Sequence, residues 1–366
     1  MISKGILPEF SVAPHGEGKT NLKINVPENG KCYLKLIYHL KKELPLLDED
    51  HILGFDEIEV SQKDAKCQLA EKWVEKTVTD SELQVSEDDT QIHIKGREFA
   101  YTIDRRTALF TEMKFAGREY LNHPMELNIW RAPTDNDMYI KSEWKKAHYD
   151  KAYTRAYTTE VVQGKHGVKI VSHASVVAET VQKILDVTIT WKIDASGKID
   201  ADIEATKDGE FPDLPRFGVR MFLDKKLSAA RYFGMGPQES YCDKHQAASH
   251  GLYHANVDDL HEDYIRPQEN GSHYDCEYVE LNNSRYGIVV SAENAFSFNA
   301  SYYTQEELEK KTHNYELIES DSVVFCVDYA LNGIGSNSCG PVVLEQYRFD
   351  DVLFRFQFTL IPYVKG

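Results

Sequence analysis

The segment Trp130-Arg131-Ala132-Pro133-Thr134-Asp135-Asn136-Asp137 holds the densest set of chemistry-bearing side chains in the chain. Three short polar residues follow a proline and a threonine, and such side chains hydrogen-bond their own backbone and tolerate tight turns. Two uses fit this pattern. One is a rigid Asx-type turn. The other is a polar rim on a sugar site, where guanidinium, carboxylate and amide groups grip hydroxyls. A second segment, Phe233 to Tyr241, contains Gly234-Met235-Gly236. It lacks a third glycine at the dinucleotide spacing, and Pro237 blocks a helix-opening phosphate loop, so it reads as a tight loop at a strand end. The triplet Pro237-Gln238-Glu239 recurs as Pro267-Gln268-Glu269. Glu239 and Glu269 are therefore the carboxyls to weigh as a glycosidase pair. Such a pair stands roughly 5 to 9.5 Å apart, a distance that sequence does not set. Loop glutamates are more often solvated or capping groups, so no catalytic residue is assigned.

The 14 histidines show no metal-ligand spacing, and no G-x-S-x-G nucleophile pattern occurs. No metal or other cofactor is assigned to this chain. Asn337-Ser338-Cys339-Gly340-Pro341 is a Gly/Pro-bounded loop whose Cys339 has no base beside it in sequence.

The elements that must position these segments are strands. Cys32, Leu34, Leu36, Tyr38 and Leu40 alternate with other residues, as do Leu185, Val187, Ile189, Trp191 and Ile193. After the turn chemistry of Ala195-Ser196-Gly197-Lys198, Ile199, Ala201, Ile203 and Ala205 continue the period, which predicts a long hairpin. Phe217 to Leu223 and Val352 to Leu360 repeat the pattern. Thr304-Gln305-Glu306-Glu307 reads as a capping box opening a short helix to about Lys311, and Ser142 to His148 allows another turn or two. A charged, weakly periodic stretch between Glu59 and Glu87 marks a boundary. The expectation is an all-β chain: a partial immunoglobulin-like sandwich over 1–62, a linker over 63–86, and a large β domain over 87–366. The first module is short for a complete sandwich of about 100 residues.

With 42% hydrophobic and 28% charged residues, the chain can form a sizeable core. A net charge of −17 disfavours a nucleic-acid partner. No apolar run is long enough to span a membrane, and Met1 to Gly5 opens no signal-peptide pattern. The six cysteines lack C-x-x-C spacing and read as thiols in a reducing, cytoplasmic setting.

Taken in order, these segments resemble the C-terminal domains of family 2 β-galactosidases. Gly5-Ile6-Leu7-Pro8, Val12-Ala13-Pro14 and His51 to Val60 are similar to the late part of the fourth, immunoglobulin-like domain. Asp104, Leu109, Gly117 and Leu121 fit the opening of the fifth. Trp130 to Asp137 is similar to its W-R-A-P-x-D-N-D motif, Gly234 to Tyr241 to its G-x-G-P-x-E-x-Y motif, and Glu269-Asn270-Gly271 to a further block. The helix from Ser301 to His313 and the loop from Gly335 to Pro341 follow in place. The resemblance implies that the fifth domain is an antiparallel supersandwich of the galactose-mutarotase-like type. It implies a substrate-site rim at Arg131, Asp135, Asn136, Asp137 and Cys339. It also implies a mobile loop opening with Met138, Tyr139, Ile140, Lys141, Ser142 and Glu143. At the position of Cys339 the family often carries tryptophan, and a thiol offers no aromatic face to a sugar. The retaining two-glutamate chemistry, with Mg²⁺ and Na⁺, belongs to a barrel that this chain lacks. The implied partners are that barrel portion and a β-galactoside, in an oligomeric parent. Two other readings stay open: a free-standing sugar-binding module, and an epimerase using His273 and Glu269 as acid and base.

Overall fold

Period-two alternation becomes antiparallel ladders throughout the computed structural model, which describes residues 2–7, 11–61, 68–70, 72, 83–335 and 339–365. The chain divides into two units, 1–66 and 67–366. Pro8, Cys67, Asn337, Ser338 and most of the stretch expected to be a linker lie outside the described residues.

In the first unit, β1 (Tyr33–His39) pairs with β2 (Ile52–Glu59), with Leu34 opposite Ile58 and Ile37 opposite Phe55. Among its described residues none is buried, and Ile37, Tyr38, Ile52, Leu53 and Ile58 are exposed. Of the immunoglobulin-like module expected here, the described residues form this two-stranded ribbon.

The second unit begins with a five-stranded meander. Its strands are β3 (Gln84–Glu87), β4 (Gln91–Lys95), β5 (Phe99–Asp104), β6 (Leu109–Phe115) and β7 (Arg118–Glu119). Gln84 to Ser86, placed by the sequence in the linker, are thus part of a sheet. A twelve-stranded sheet follows. It comprises β8 (Leu121–Asn128), β9 (Tyr153–Gln163), β10 (Gly167–Ala178), β11 (Val181–Asp194), β12 (Ile199–Lys207) and β13 (Arg216–Asp224). Then come β14 (Ala229–Gly236), β15 (Ser249–Asn256), β16 (Ser272–Asn282), β17 (Tyr286–Ser301), β18 (Ser322–Leu331) and β19 (Leu353–Val364). Spatially the order is β15-β14-β16-β17-β19-β12-β11-β10-β9, and a branch runs from β17 through β18 and β13 to β8. The long β17 serves both branches. Its first half pairs with β19, its second half with β18.

The predicted hairpin is β11–β12, in register from Leu185 opposite Lys207 to Ile193 opposite Ile199. Gly197 takes φ +88° at its turn, a conformation that costs glycine little. The alternating stripes meet in one core. Trp191 is buried between Phe110 at 4.9 Å and Phe358 at 6.4 Å, and its Nε1–H donates to Ala108 O at 2.8 Å. Phe217 of the short branch packs edge-on to Phe354 of β19 at 4.8 Å. The result is a large antiparallel supersandwich.

Among the described residues, two short α-helices interrupt the strands from β3 onward, α1 (Ile140–Lys146) and α2 (Gln305–Lys310). Thr304 caps α2 by accepting the Glu307 N–H at 3.1 Å. The Glu307 carboxylate accepts the Ile318 N–H at 2.8 Å, so the box foreseen at this terminus is half made, and the glutamate holds the chain beyond the helix.

Candidate functional site

The strand β8 runs directly into Trp130 to Asp137, and the turn is closed by its own side chains. The Asp137 carboxylate accepts the Thr134 N–H at 2.9 Å. Arg131 is wholly buried, which a guanidinium tolerates only when paired and hydrogen-bonded. It forks onto Asp137 at 3.1 and 2.7 Å and donates to the carbonyls of Asn332 and Gly333, the latter at 3.1 Å. Its flat face lies 5.2 Å from the centre of the Trp144 ring, which α1 supplies. Trp144 is buried and donates its Nε1–H to Asp213 O at 2.8 Å.

Neighbouring side chains extend this clasp. Asn136 Nδ2 donates to Ile334 O at 2.5 Å, and Asp243 accepts the N–H groups of Ile334 and Gly335 at 3.0 and 2.7 Å. Asp135 and Gln268 bond twice: Asp135 N–H to Gln268 Oε1 at 3.0 Å, and Gln268 Nε2 to Asp135 Oδ2 at 3.2 Å. The Glu269 N–H donates to Ala132 O at 3.0 Å. Four segments far apart in sequence, around residues 131–137, 243, 268–269 and 332–335, are thereby locked into one rim.

Arg216, on β13, is also fully buried. It forks onto Asp328 and donates to Glu269 Oε1 at 2.9 Å. Burial opposes its charge, yet Asp328 and Glu269 hold its pKa above the ordinary arginine value. One guanidinium faces two buried carboxyls. Burial pushes both Glu269 and Asp328 up, against the pull of Arg216. Glu239 accepts the Gly271 N–H at 2.8 Å and also bonds Lys244 and Tyr264. Glu239 and Glu269 are therefore both spent on structural contacts, and neither is posed as a free acid or base. Burial drives His273 down to about 4, and its ring lies against Tyr232 at 4.5 Å and Phe298 at 5.0 Å. Glu269 and His273 thus have separate partners, so the epimerase pairing is not assembled.

The residues singled out by sequence are sorted by this geometry. Arg131 and Asp137 meet each other in the interior. They hold the turn and do not face the surface. Asn136 is half-buried on Ile334, and Asp135 is exposed with its carboxylate against Gln268. Met138 and Tyr139 are exposed, while Ile140, Lys141, Ser142 and Glu143 are the opening of α1. Cys339 is exposed. Among the described residues, no group of three or more His, Cys, Asp or Glu side chains could hold a metal ion.

The model of the β-galactosidase small chain family matches residues 95–360, which span the meander, the large sheet and the whole rim. The chain belongs to this family. Curated relatives extend the match beyond those residues. A β-galactosidase of Actinobacillus pleuropneumoniae is 42% identical over 363 residues, covering 99% of this chain and 35% of that protein. A β-galactosidase of Staphylococcus xylosus is 31% identical, covering 97% of this chain and 35% of that protein. The chain thus spans about a third of the length of these curated relatives. A galactose 1-epimerase from Lactobacillus acidophilus superposes with a TM-score of 0.41 at 8% identity, covering 78% of this chain and 99% of that one.

Sequence reading passed over Trp144, Asp243, Gln268 and the Arg216–Asp328 pair. Gln268 stood in view within its repeated triplet. Asp243 offered only its place two residues after Tyr241, and Trp144 only its helical spacing.

Proposed function

We propose that this chain is the C-terminal, active-site-bordering portion of a β-galactosidase, an enzyme hydrolysing terminal β-D-galactose residues. The two glutamates of the retaining reaction would sit in a separate catalytic barrel portion. The observation that carries this reading is the 42% identity, over almost the full chain, to a third of a protein named β-galactosidase. The first unit supports it independently. A two-stranded ribbon with exposed Ile37, Tyr38, Ile52, Leu53 and Ile58 is marginal alone and calls for further strands. In this role the clasp makes a rigid wall: Asp135 and Asn136 face the mouth of the site, and Met138 and Tyr139 border it. Cys339 would stand at the same rim without aromatic stacking. The Mg²⁺ and Na⁺ of the parent would be held by the barrel portion. The proposed setting is a cytoplasmic, oligomeric enzyme.

The test is hydrolysis of a chromogenic β-galactoside by the chain alone and after mixing with the matching catalytic portion. Silence alone and activity on mixing is the expected result. Hydrolysis by the chain alone would overturn the proposal.

A further inference from the structure

Ile265 is 97% exposed, among the most exposed large apolar side chains of the second unit. Its loop is nevertheless held firmly. On one side, Tyr264 Oη bonds Glu239 and accepts from Lys244 Nζ at 2.7 Å, and the Tyr264 carbonyl accepts from Asn314 Nδ2 at 2.8 Å. On the other, Pro267, Gln268, Glu269 and Asn270 are all buried. Asn270 closes the base by accepting the Glu262 N–H at 3.0 Å and donating to Gln268 O at 2.9 Å. The loop therefore presents an isoleucine from a fixed backbone. Solvent exposure of such a group is unfavourable, while its ordering cost on binding is already met.

Other exposed apolar residues lie on segments bonded to this loop. Tyr315, 83% exposed, follows Asn314. Met138 and Tyr139 follow the Asp135–Gln268 connection, and Lys145 of α1 pairs with Glu309 of α2. These bonded loops make up the edge beside the rim, a mixed one, since Glu262, Asp263 and Arg266 next to Ile265 are exposed as well.

We infer that Ile265 anchors a docking surface for the catalytic portion of the enzyme, with Tyr315 and Tyr139 beside it. This rests on the functional reading above. The relatives extend well beyond this chain, which covers 35% of their length, so a large body of protein is available as occupant. A second copy of this chain is disfavoured by its own net charge of −17. A sugar is disfavoured because a branched aliphatic side chain offers neither hydrogen bonds nor a flat face. Docking at Ile265 would also set the position of the rim, since Gln268 joins the two.

The experiment titrates a fixed amount of the matching catalytic portion with wild-type chain, Ile265→Asp, Ile265→Leu or Tyr315→Ser, reading chromogenic β-galactoside hydrolysis. Ile265→Asp should raise the half-saturating concentration about tenfold or more, Tyr315→Ser less, and Ile265→Leu little. The melting temperature of each variant chain should match wild type, since these side chains touch little of their own fold. Superimposable wild-type and Ile265→Asp titrations overturn the inference and leave the functional reading standing. A wild-type chain that restores no activity overturns both. A self-dimer that Ile265→Asp dissolves, with titrations unchanged, assigns the edge to a second copy and overturns the inference.

Discussion

The two units of this chain use the same strand chemistry to opposite effect. In the larger unit the alternating stripes of β11, β12, β13 and β19 close on one another, and Trp191, Phe217 and Ile203 are fully buried. In the smaller unit β1 and β2 carry similar alternation, and not one described residue is buried. Alternation defines an apolar face, but only a second layer turns that face into a core. The larger unit carries its second layer within the chain. In the smaller one the described apolar side chains stay half-buried or exposed.

The sharpest way to break this comparison is to remove core contacts from the larger unit. Trp191→Ala should cost about 3–5 kcal/mol in urea denaturation, because both ring contacts and the hydrogen bond to Ala108 O are lost. A loss below about 1 kcal/mol would mean that Trp191 is not a core residue. Arg131→Met should also cost about 3–5 kcal/mol, since the buried Asp137 loses its cation and two buried carbonyls lose their donor. The double variant Arg131→Met/Asp137→Leu should recover much of this, and additive losses would show that the two side chains do not act as a pair. Next in size is a pH effect. His273 is neutral in the folded chain down to about 4, whereas an unfolded histidine takes up its proton near 6.5. Above pH 6.5 the group is neutral in both states and contributes nothing. Below it only the unfolded chain binds the proton, so stability falls as pH drops toward 4, by on the order of 3 kcal/mol. The stability gap between wild type and His273→Gln should shrink by that amount from pH 7 to 4.5, and a constant gap would refute the assignment. The smallest effect belongs to the other unit. Ile58→Ser should change the stability of the isolated chain by less than about 0.5 kcal/mol. A loss of 2 kcal/mol would show a core in the first unit and erase the contrast.

Much of the fold was legible because period-two alternation is a local signal. The β11–β12 hairpin, β13 and β19 lie where their stripes place them. A tight, side-chain-closed turn at Thr134 to Asp137 was legible for the same reason, since its Pro-Thr-Asp-Asn-Asp chemistry acts locally; it is a 3-10 turn in which Asp137 reaches back to the Thr134 N–H, not the Asx turn expected. What the turn grips was not legible. Arg131 ends on the carbonyls of Asn332 and Gly333, and a backbone acceptor carries no residue-type signature. Nor does sequence separate a carboxylate that faces solvent, like Asp135, from one two residues on that is buried on an arginine, like Asp137. The exposure of β1 and β2 escaped because a stripe reports which side is apolar and is silent on what covers it.

The position of β19 has a kinetic consequence. This strand, last in chain order among those described, lies between β12 and β17 in the middle of the large sheet. Roughly 150 residues separate the end of β12 from the start of β19. At ribosomal rates of about 5–20 residues per second, β12 waits roughly seven to thirty seconds for its neighbour. Until then its edge is open to wrong pairing, and the sheet exists as two unjoined parts. Folding of this unit is thus gated by synthesis of its own keystone strand.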